Sequence, residues 1–379
     1  MLKKYIADLE QENRRLLQSI ELEEKNQFFL EKQLGSVFNS KAYVVWQRYN
    51  RYKKIFVGQI RIGYLHRMYS QIVVYTKRIL MSIATIILNQ QSKFNYKFNT
   101  VHELINNKSQ QAEVSILIPT YGSISNLERL IKSFKDNPDQ VNKEILFIND
   151  NPSNISEMKF WINNNLGSIK KLKISIYSNS INQGFVNSIN SIAKKASGKY
   201  ILLLNDDTEL IMPQSISKLA DCFTKKEIAI VGNLLLFPDK MTVQHGGMHP
   251  FQKNDGKIYN YHFFKFFNKN FPELNFSRMV PMVTGASMMI KKDIFFELGG
   301  LDNKYLGAGG FDDSDICNQA VSHGYKIKYC PQTAMIHHEG TTIKKLTYQH
   351  QICFINNHNY YQNKWHNFLL SKYPEFMNG

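Results

Sequence analysis

From residue 113 onward, short apolar runs alternate with segments in which apolar residues recur at helical spacing. The runs are rich in Val, Ile and Leu and end in polar residues, which is typical of buried strands. The predicted strands are Val114–Pro119, Lys143–Ile148, Lys173–Tyr177 and Tyr200–Leu204. The predicted helices are Ser125–Asp136, capped by Ser125 or Asn126, and Gly184–Ala196. Strands that alternate with helices indicate an α/β fold with a mostly parallel, Rossmann-like sheet and flanking crossover helices.

Residues 1–35 carry a different pattern. The residues that would form one contact face of a helix are spaced alternately four and three positions apart. Asn13 stands where a buried polar residue fixes register and favours a dimer, and Gly35 ends the pattern. The segment is therefore predicted to be a coiled coil that makes the protein a homo-oligomer, although one amphipathic helix packed on its own domain would show the same stripe. The seam consists of Leu2, Ile6, Leu9, Asn13, Leu16, Ile20, Glu23, Gln27, Leu30 and Leu34.

Residues 36–110 hold most of the basic excess of this 379-residue chain. The formal charge is +16 overall, +11 in this segment and −1 in residues 1–35. Aromatic and aliphatic residues recur at helical spacing among Lys and Arg residues, which indicates a basic amphipathic region. A linker is predicted at residues 91–112. Such a region suits an anionic membrane surface, or it packs on the following domain; binding of nucleic acid is compatible but not favoured.

Membrane-spanning and export signals are not expected in this sequence. Lys77 and Arg78 interrupt the apolar stretch from Ile72 to Leu88, which is also short for a transmembrane helix. The charged residues near the start flank no continuous apolar segment, so no signal peptide is expected. Cys222, Cys317, Cys330 and Cys353 form no CxxC pair, which predicts free thiols in a reducing compartment.

Polar residues follow each predicted strand, and two of these strand ends supply carboxylates. Because the carboxyl ends of parallel strands meet at one edge of a sheet, these residues are expected to lie together and bind a ligand there. The ends are Thr120-Tyr121, Asn149-Asp150, Ser178-Asn179 and Asn205-Asp206-Asp207. Further acids follow a Gly-rich turn at 309–310, and His337 follows another apolar run. Carboxylates with an imidazole predict a site for Mn²⁺ or Mg²⁺.

The same residues carry a resemblance to a known family. In order along the chain, residues 114–340 match short motifs of family 2 glycosyltransferases with the GT-A fold, in the branch of bacterial rhamnosyltransferase-like and polysaccharide-assembly enzymes. The matching pieces are residues 114–121, 149–151, 182–190, 198–208, 244–247, 284–286, 299–302, 311–317 and 336–337. The resemblance covers about 60% of the chain and implies a nucleotide-sugar donor.

The resemblance also implies roles for the donor-binding residues. Tyr121 stacks on the nucleobase, and Thr120 and Asp150 contact base and ribose, although a capping or turn role for Thr120 stays open. Gly184 lets the backbone approach the donor or is a turn residue, and Asn182 contacts the donor or caps the helix. The strand-end triplet corresponds to the DxD motif: Asp206 reaches the ribose and Asp207 binds the metal. Asn205 replaces the first acid, so it is assigned to donor binding and not to the metal.

A second set of implied roles concerns the metal and the transfer step. His337 completes the metal site, whereas His338 faces the opposite way. Asp313 is the base that deprotonates the acceptor hydroxyl, and Asp312 orients acceptor or base. Gly285 and His245 line the donor-sugar or acceptor side. Asp315 is expected to cap the following helix.

Together these expectations describe four regions: a coiled coil (1–35), a basic helical region and linker (36–110), a GT-A domain (111–345) and a helical C-terminal segment (346–379). The expected activity is inverting transfer of a hexosyl or deoxyhexosyl group to a saccharide or lipid-linked saccharide at the inner face of the cell membrane. Two alternatives stay open. One is a nucleotidyltransferase, although residues 119–123 lack its phosphate-binding loop; the other is a membrane-associated coiled-coil scaffold whose transferase domain is inactive.

Overall fold

The structure is a computed structural model of the chain and describes residues 85–86, 88–90, 99–107, 111–121, 123–338 and 348–377. The chain divides into two compact units, Met1–Phe94 and Asn95–Gly379. The predicted coiled coil of residues 1–35 lies outside the described residues, and so does the basic region as far as residue 84. The second unit contains the predicted sheet.

The strands of this unit are β1 (Val101–Ile105), β2 (Val114–Thr120), β3 (Lys143–Asn149), β4 (Ile174–Asn179), β5 (Tyr200–Leu204), β6 (Thr208–Leu210), β7 (Ile228–Leu236), β8 (Val243–His245), β9 (Met248–Gln252), β10 (Ile258–His262), β11 (Arg278–Met279), β12 (Ser287–Lys291) and β13 (Lys326–His337). The α-helices are α1 (Ile124–Asp136), α2 (Ile155–Asn164), α3 (Leu166–Lys171), α4 (Gly184–Ala193), α5 (Ser215–Ala220), α6 (Lys292–Glu297), α7 (Asp312–Ser322) and α8 (Tyr348–Lys372). Short 3₁₀ helices occupy Pro152–Asn154, Pro272–Asn275 and Pro374–Phe376.

The four strands predicted from the sequence are the parallel neighbours β4, β3, β2 and β5, which confirms the α/β fold. The sheet continues through β12, β7, β13 and β11, and it is mixed there. β12 runs antiparallel to both β5 and β7, whereas β13 runs parallel to β7. This arrangement places the carboxyl ends of β2, β3, β4 and β5 along one edge, as the sequence pattern predicted.

The sheet separates two apolar layers, and the alternation of side chains along β2 shows how. Leu117 packs with residues of α4 and α8 on one face. Ile116 and Ile118 pack with residues of α1, α2, α3 and α5 on the other face. All three side chains are completely buried. A strand that is buried on both faces has a continuous apolar sequence, which is why β2 could be predicted.

Several boundaries differ from the sequence prediction. Helix α1 begins one residue early, because Ser123, and not Ser125 or Asn126, is its cap: the Ser123 side chain accepts a hydrogen bond from the Asn126 N–H at 3.3 Å. Helix α4 ends three residues early, at Ala193. Within the predicted linker, β1 pairs antiparallel with β4. Because its five residues are flanked by Asn- and Lys-rich sequence, this edge strand was predicted to be part of a linker.

The expectation of four free thiols is wrong for Cys222 and Cys330, which form a disulfide with a Cα–Cα distance of 6.4 Å. The two residues are 108 positions apart and meet because α5 packs against β13. Spacing along the sequence does not reveal such a pairing. Cys317 and Cys353 are free and buried.

The predicted C-terminal helical segment is α8, and a buried carboxylate attaches it to α7. Asp315 is completely buried and accepts hydrogen bonds from Trp365 Nε1 at 2.6 Å and Lys364 Nζ at 3.0 Å. It also accepts from the Tyr305 hydroxyl at 2.9 Å and the Gln319 side chain at 2.6 Å. Asp315 was expected to cap α7, but its carboxylate instead binds side chains of α8.

We predict that Asp315→Asn destabilises the fold. The substitution removes a buried charge and turns an acceptor into a donor that faces other donors, so the free energy of unfolding should fall by about 3 kcal/mol. Chemical denaturation of the full chain measures this. The matched control is Asp136→Asn on α1, an exposed i,i+4 partner of Lys132, which should change the stability by less than about 0.5 kcal/mol. Equal effects of the two substitutions would contradict the assignment.

Candidate active site

The two predicted metal ligands, Asp207 and His337, lie together at the edge of the sheet. β13 ends at His337, which lies opposite Thr208 in the antiparallel pairing with β6. This pairing brings His337 Nε2 within 3.1 Å of Asp207 Oδ1, although the residues are far apart in sequence. Both side chains are largely buried, at 13% and 10% exposure.

Gln244 fixes the orientation of the His337 ring. The Gln244 amide donates to the backbone carbonyl of His337 at 3.3 Å, so its Oε1 faces the ring and accepts from Nδ1–H at 2.8 Å. With the proton on Nδ1, the lone pair of Nε2 points toward Asp207. A lone pair and a carboxylate oxygen at this separation repel each other unless a cation or a proton lies between them.

The pair fits part of a divalent metal site, because a ligating His needs this kind of second hydrogen bond on its other nitrogen. No third His, Cys, Asp or Glu joins the two within the described part of the chain. The remaining ligands of a bound ion would come from elsewhere. Water and diphosphate oxygens are the donors that Mg²⁺ prefers.

Asp206 belongs to a separate network beside Asp207 and His337. Its carboxyl group accepts hydrogen bonds from the side chains of Thr120 and Asn126. Burial, with the neighbouring charge of Asp207, raises the pKa of Asp206 to about 6. Thr120 thus connects the end of β2 to the acids after β5, and its own side chain is 3% exposed.

Arg129 of α1 lies beside the candidate site and was not singled out from the sequence. Its guanidinium donates to Asn126 Oδ1 at 2.5 Å and lies 3.3 Å from Glu209 Oε1. Glu209 in turn accepts from His338 Nε2 at 2.6 Å, so His338 faces away from the metal pair as expected. The positive charge of Arg129 lies near Asp206 and favours its ionised form.

Asp150 follows β3, and its carboxyl group accepts hydrogen bonds from the residues around the start of α4. The backbone N–H groups of Gln183 and Gly184 donate at 2.7 and 2.8 Å, and Asn179 Nδ2 donates at 2.8 Å. The side chain is 5% exposed, and burial raises its pKa to about 6. These contacts give Asp150 a role in holding the loop before α4. Contact with a nucleobase stays a prediction.

Gly184 and Asn182 have local structural roles that the sequence left open. Gly184 has φ +76°, and a Cβ here would lie 2.6 Å from the carbonyl oxygen of Gly307. Glycine is therefore required both by the conformation and by the close approach of the loop that leads to α7. Asn182 Oδ1 accepts from the Gly184 N–H at 2.9 Å. Both residues shape the start of α4.

Tyr121 differs from its neighbours, because 51% of its side chain is exposed. It follows β2 directly and lies one residue from Thr120, which contacts Asp206. An exposed ring at this point is available for the stacking contact that the resemblance implied.

Asp312 and Asp313 begin α7 and are held by different partners. The N–H groups of Gly285 and Ser314 donate to Asp313 at 3.0 and 2.7 Å. Asp312 accepts from the Gly310 N–H at 2.6 Å. Burial raises the pKa of both carboxyl groups, and the charge of Asp313 raises that of Asp312 further.

A short backbone segment connects this acidic pair to the strand end that carries Asn205, Asp206 and Asp207. Gly285 binds Asp313, and the next carbonyl, that of Ala286, accepts from the Asn205 N–H at 3.1 Å. A Cβ on Gly285 would lie 3.3 Å from the Cβ of Asp313, which is a tight contact. The structure therefore joins both acidic clusters through Gly285 and Ala286.

His245 was predicted to line the donor-sugar or acceptor side, and that role stays a prediction. Its side chain is completely buried, and its Nδ1 is 2.9 Å from Nδ1 of His262. Burial lowers the pKa of both imidazoles, to about 4 for His262. His245 packs inside the protein because it follows Gln244 on β8 and faces the opposite side of the strand.

Comparison with known families agrees with this geometry. Residues 115–298 match the model of "Glycosyl transferase family 2". Residues 265–342 match a second model, described as "N-terminal domain of galactosyltransferase". The chain carries a family 2 glycosyltransferase domain.

Relatives of this glycosyltransferase domain include the O-antigen biosynthesis protein RfbC of Myxococcus xanthus, 30% identical over 163 residues. Another is the uncharacterized protein y4gI of Sinorhizobium fredii, 27% identical over 162 residues. Each alignment covers 40% of this chain but only 12% and 17% of the respective relative. The matched region is therefore a small part of those proteins.

The fold of the glycosyltransferase domain is similar to that of GalNAc-T7, solved with UDP, GalNAc and Mn²⁺. The similarity has a TM-score of 0.51 at 16% identity and covers 71% of this chain and 51% of GalNAc-T7. This likeness confirms the GT-A fold. Within the described ranges, no helix combines the length and apolar character needed to cross a bilayer.

We predict that Gln244→Leu lowers the affinity of the glycosyltransferase domain for Mn²⁺ by about 10- to 100-fold, since the His337 ring loses the contact that fixes its tautomer. Calorimetric titration of Mn²⁺ in the presence of a nucleoside diphosphate measures this. The control is Gln332→Leu, an exposed substitution on the same strand as His337, which should leave the affinity unchanged. Unchanged affinity in both variants would refute the role of Gln244.

Proposed function

We propose that this glycosyltransferase domain is a metal-dependent, inverting enzyme that transfers a hexosyl or deoxyhexosyl group from a nucleotide diphosphate sugar to an acceptor hydroxyl. The observation that carries the proposal is the pair of acidic clusters, Asp206-Asp207 with His337 and Asp312-Asp313, joined through Gly285 and Ala286. We propose that one set neutralises the donor and that the other removes a proton from the acceptor.

Asp207 and His337 are the residues that would hold Mn²⁺ or Mg²⁺. When bound, such an ion acts as a Lewis acid that stabilises the departing diphosphate. Asp206 is partly buried, is held by Thr120 and Asn126, and is assigned to the donor ribose. Tyr121 supplies an exposed ring for the base, and Asn205 completes the donor-binding motif.

Asp313 is the proposed general base. Two backbone N–H groups donate to its carboxylate and fix its orientation. Burial raises its pKa, which brings it closer to the working pH and makes it a stronger base than an exposed Asp. Asp312 orients the acceptor or the base. One base without a separate nucleophile supports a single displacement, with inversion at the anomeric carbon.

The proposed acceptor is a saccharide or lipid-linked saccharide in cell-surface polysaccharide synthesis. The relative named for O-antigen biosynthesis supports this assignment, although the alignment spans only 12% of that protein. We further propose that the enzyme works in the cytoplasm at the inner face of the cell membrane, held by residues 36–110, and that residues 1–35 make it an oligomer. Both segments lie outside the described residues, apart from short stretches of the second.

One assay distinguishes the proposed function from the two alternatives, a nucleotidyltransferase and an inactive scaffold. With a panel of nucleotide sugars and Mn²⁺, the proposed enzyme releases a nucleoside diphosphate. A nucleotidyltransferase would instead form or consume pyrophosphate, and a scaffold with an inactive domain would show no turnover. Either of these last two results would reject the proposal.

We predict that Asp313→Asn abolishes sugar transfer but leaves the Kd for the nucleotide nearly unchanged, since the amide cannot accept the proton. In the unsubstituted enzyme the base must be deprotonated. Because burial raises its pKa, kcat/KM should rise with pH over a range above that of an ordinary Asp. Steady-state rates as a function of pH and calorimetry with the nucleoside diphosphate measure both effects. Normal turnover by the variant would overturn the assignment.

We predict that Asp207→Ala removes the dependence of donor binding on Mn²⁺, because one of the two protein ligands is lost. Calorimetric titrations of the nucleotide sugar with and without Mn²⁺ should differ for the unsubstituted protein and coincide for the variant. Asp239→Ala is a suitable control, since this fully exposed carboxylate caps a turn outside the site. A variant that still responds to Mn²⁺ would show that the metal binds elsewhere.

A further inference from the structure

Two aromatic side chains adjoin the acidic residues at the start of α7. Phe311 directly precedes Asp312, and the ring of Phe354, on α8, has its centroid 5.4 Å from that of Phe311. Phe311 is partly exposed, and the side chain of Phe354 is 50% exposed. We call Phe311 and Phe354 the ring pair. An apolar surface is thus open beside the acidic residues.

A single residue, Gly310, lies between the Phe354 ring and Asp312. A Cβ on Gly310 would lie 3.5 Å from Cδ2 of Phe354, which is an ordinary contact distance. The Gly310 N–H donates to Asp312 Oδ1 at 2.6 Å. Because Gly310 has no side chain, this residue leaves the ring uncovered on that side. The ring pair and the acidic residues therefore border the same short loop.

Helix α8 fixes this loop through Asn357, whose side chain is 1% exposed. Asn357 Nδ2 donates to the carbonyls of Leu306 and Gly309, both at 3.0 Å, and Oδ1 accepts from the Leu306 N–H at 2.9 Å. The loop also contacts the donor side of the site, because the Phe185 N–H on α4 donates to the Gly307 carbonyl at 2.9 Å. The first turns of α8 thus carry Phe354 to a fixed place near both sides of the site.

Phe311 has a backbone conformation that a bulky residue rarely adopts, with φ 71°. Its ring stacks on that of His358 with centroids 4.8 Å apart, and lies 5.1 Å from the ring of Tyr361. Both partners are buried side chains of α8. Strained residues of this kind cluster at ligand-binding sites, where the surrounding structure holds them. The fold therefore accepts strain directly before Asp312 and fixes the Phe311 ring beside Phe354.

The place of the ring pair indicates what covers it. In the proposed reaction the acceptor hydroxyl must come within hydrogen-bond reach of Asp313, which is partly exposed. The atoms attached to that hydroxyl then lie next to Asp313, on the side where the ring pair is open. A pyranose has C–H groups on its faces and hydroxyls around its rim, so one face can stack on an aromatic ring while a hydroxyl contacts a carboxylate. An acyl chain has no hydroxyl to offer. The observations therefore favour a sugar ring.

We infer that the ring pair is an acceptor subsite, in which the sugar that bears the reacting hydroxyl stacks on Phe354 while Phe311 supports that ring. This inference rests on the proposed function and deepens it, because it names the residues that select a saccharide as the acceptor. It also gives α8 a role in binding, in addition to the anchor at Asp315 that attaches the helix to α7.

The binding test uses the full chain with Phe354→Trp, in the presence of Mn²⁺ and a nucleoside diphosphate. The chain is titrated with methyl glycosides of hexoses, deoxyhexoses and N-acetylhexosamines. At least one glycoside should change the emission of the new Trp saturably, beyond any change in the parent chain with its own three Trp residues. The matched control is Phe160→Trp on α2, where the side chain is 69% exposed and far from α8 in sequence. A response to no glycoside, or an equal response at 160, would overturn the inference.

Kinetics with the glycoside that binds separates stacking from a general structural effect. Phe354→Ala should raise the KM for this acceptor roughly tenfold, because the aromatic contact is lost. The KM for the nucleotide sugar should stay within about twofold of the parent value, since the contact belongs to the acceptor alone. Phe354→Tyr keeps the ring and should restore the acceptor KM. Equal increases in both KM values, or no rescue by Tyr, would contradict the subsite.

Two further comparisons assign each remaining outcome. An emission change at 354 with octyl glycosides but not with methyl glycosides would place an acyl chain on the ring pair, and a change with protein concentration alone would indicate self-association. Either result would overturn the inference. Release of nucleoside diphosphate by the parent chain is measured separately. Glycoside binding at 354 without turnover would reject the proposed function alone, whereas turnover without binding would reject the subsite alone.

Discussion

The arrangement of the site depends on repulsion among acidic groups at the end of one strand. Asp206 and Asp207 are adjacent, and Asp207 Oδ1 lies 3.1 Å from Nε2 of His337. Like charges held this close in a largely buried position disfavour ionisation, and a nearby positive charge favours it. Arg129 supplies such a charge near Asp206, and we propose that a divalent cation supplies another between Asp207 and His337.

The second acidic pair is held differently. The backbone N–H groups of Gly285 and Ser314 donate to Asp313, and burial raises its pKa. We propose that the two carboxylate sets have different tasks, binding of a cation in one and acceptance of a proton in the other.

The sequence predicted those parts of the fold that arise from local pattern. The strand Tyr200–Leu204 was found with its observed bounds, because a run buried on both faces and bounded by charges is unambiguous. The meeting of the acids at one edge followed from the parallel order of the strands. The edge strand β1 and the cap at Ser123 were missed, since an edge strand is short and partly exposed, and neighbouring Ser residues are equivalent as candidate caps.

The supporting contacts of the site were not predictable in the same way. Gln244 and His337 are 93 residues apart, and Arg129 and His338 are 209 apart. They meet only because β13 pairs with β7 and β6, a pairing that no local periodicity encodes. The disulfide between Cys222 and Cys330 and the anchor at Asp315 arise from similar long-range packing. The residues proposed to carry the chemistry were named from the sequence and remain predictions, whereas the contacts that orient them required the structure.

The central claim is that a divalent cation occupies the position between Asp207 and His337. A crystal of the protein grown with Mn²⁺ and a nucleoside diphosphate tests it directly, through the anomalous scattering of manganese. We expect an anomalous peak at bonding distance, about 2.0–2.2 Å, from both Asp207 Oδ1 and His337 Nε2. Bound nucleotide with no such peak, or a manganese ion ligated by other side chains, would contradict it.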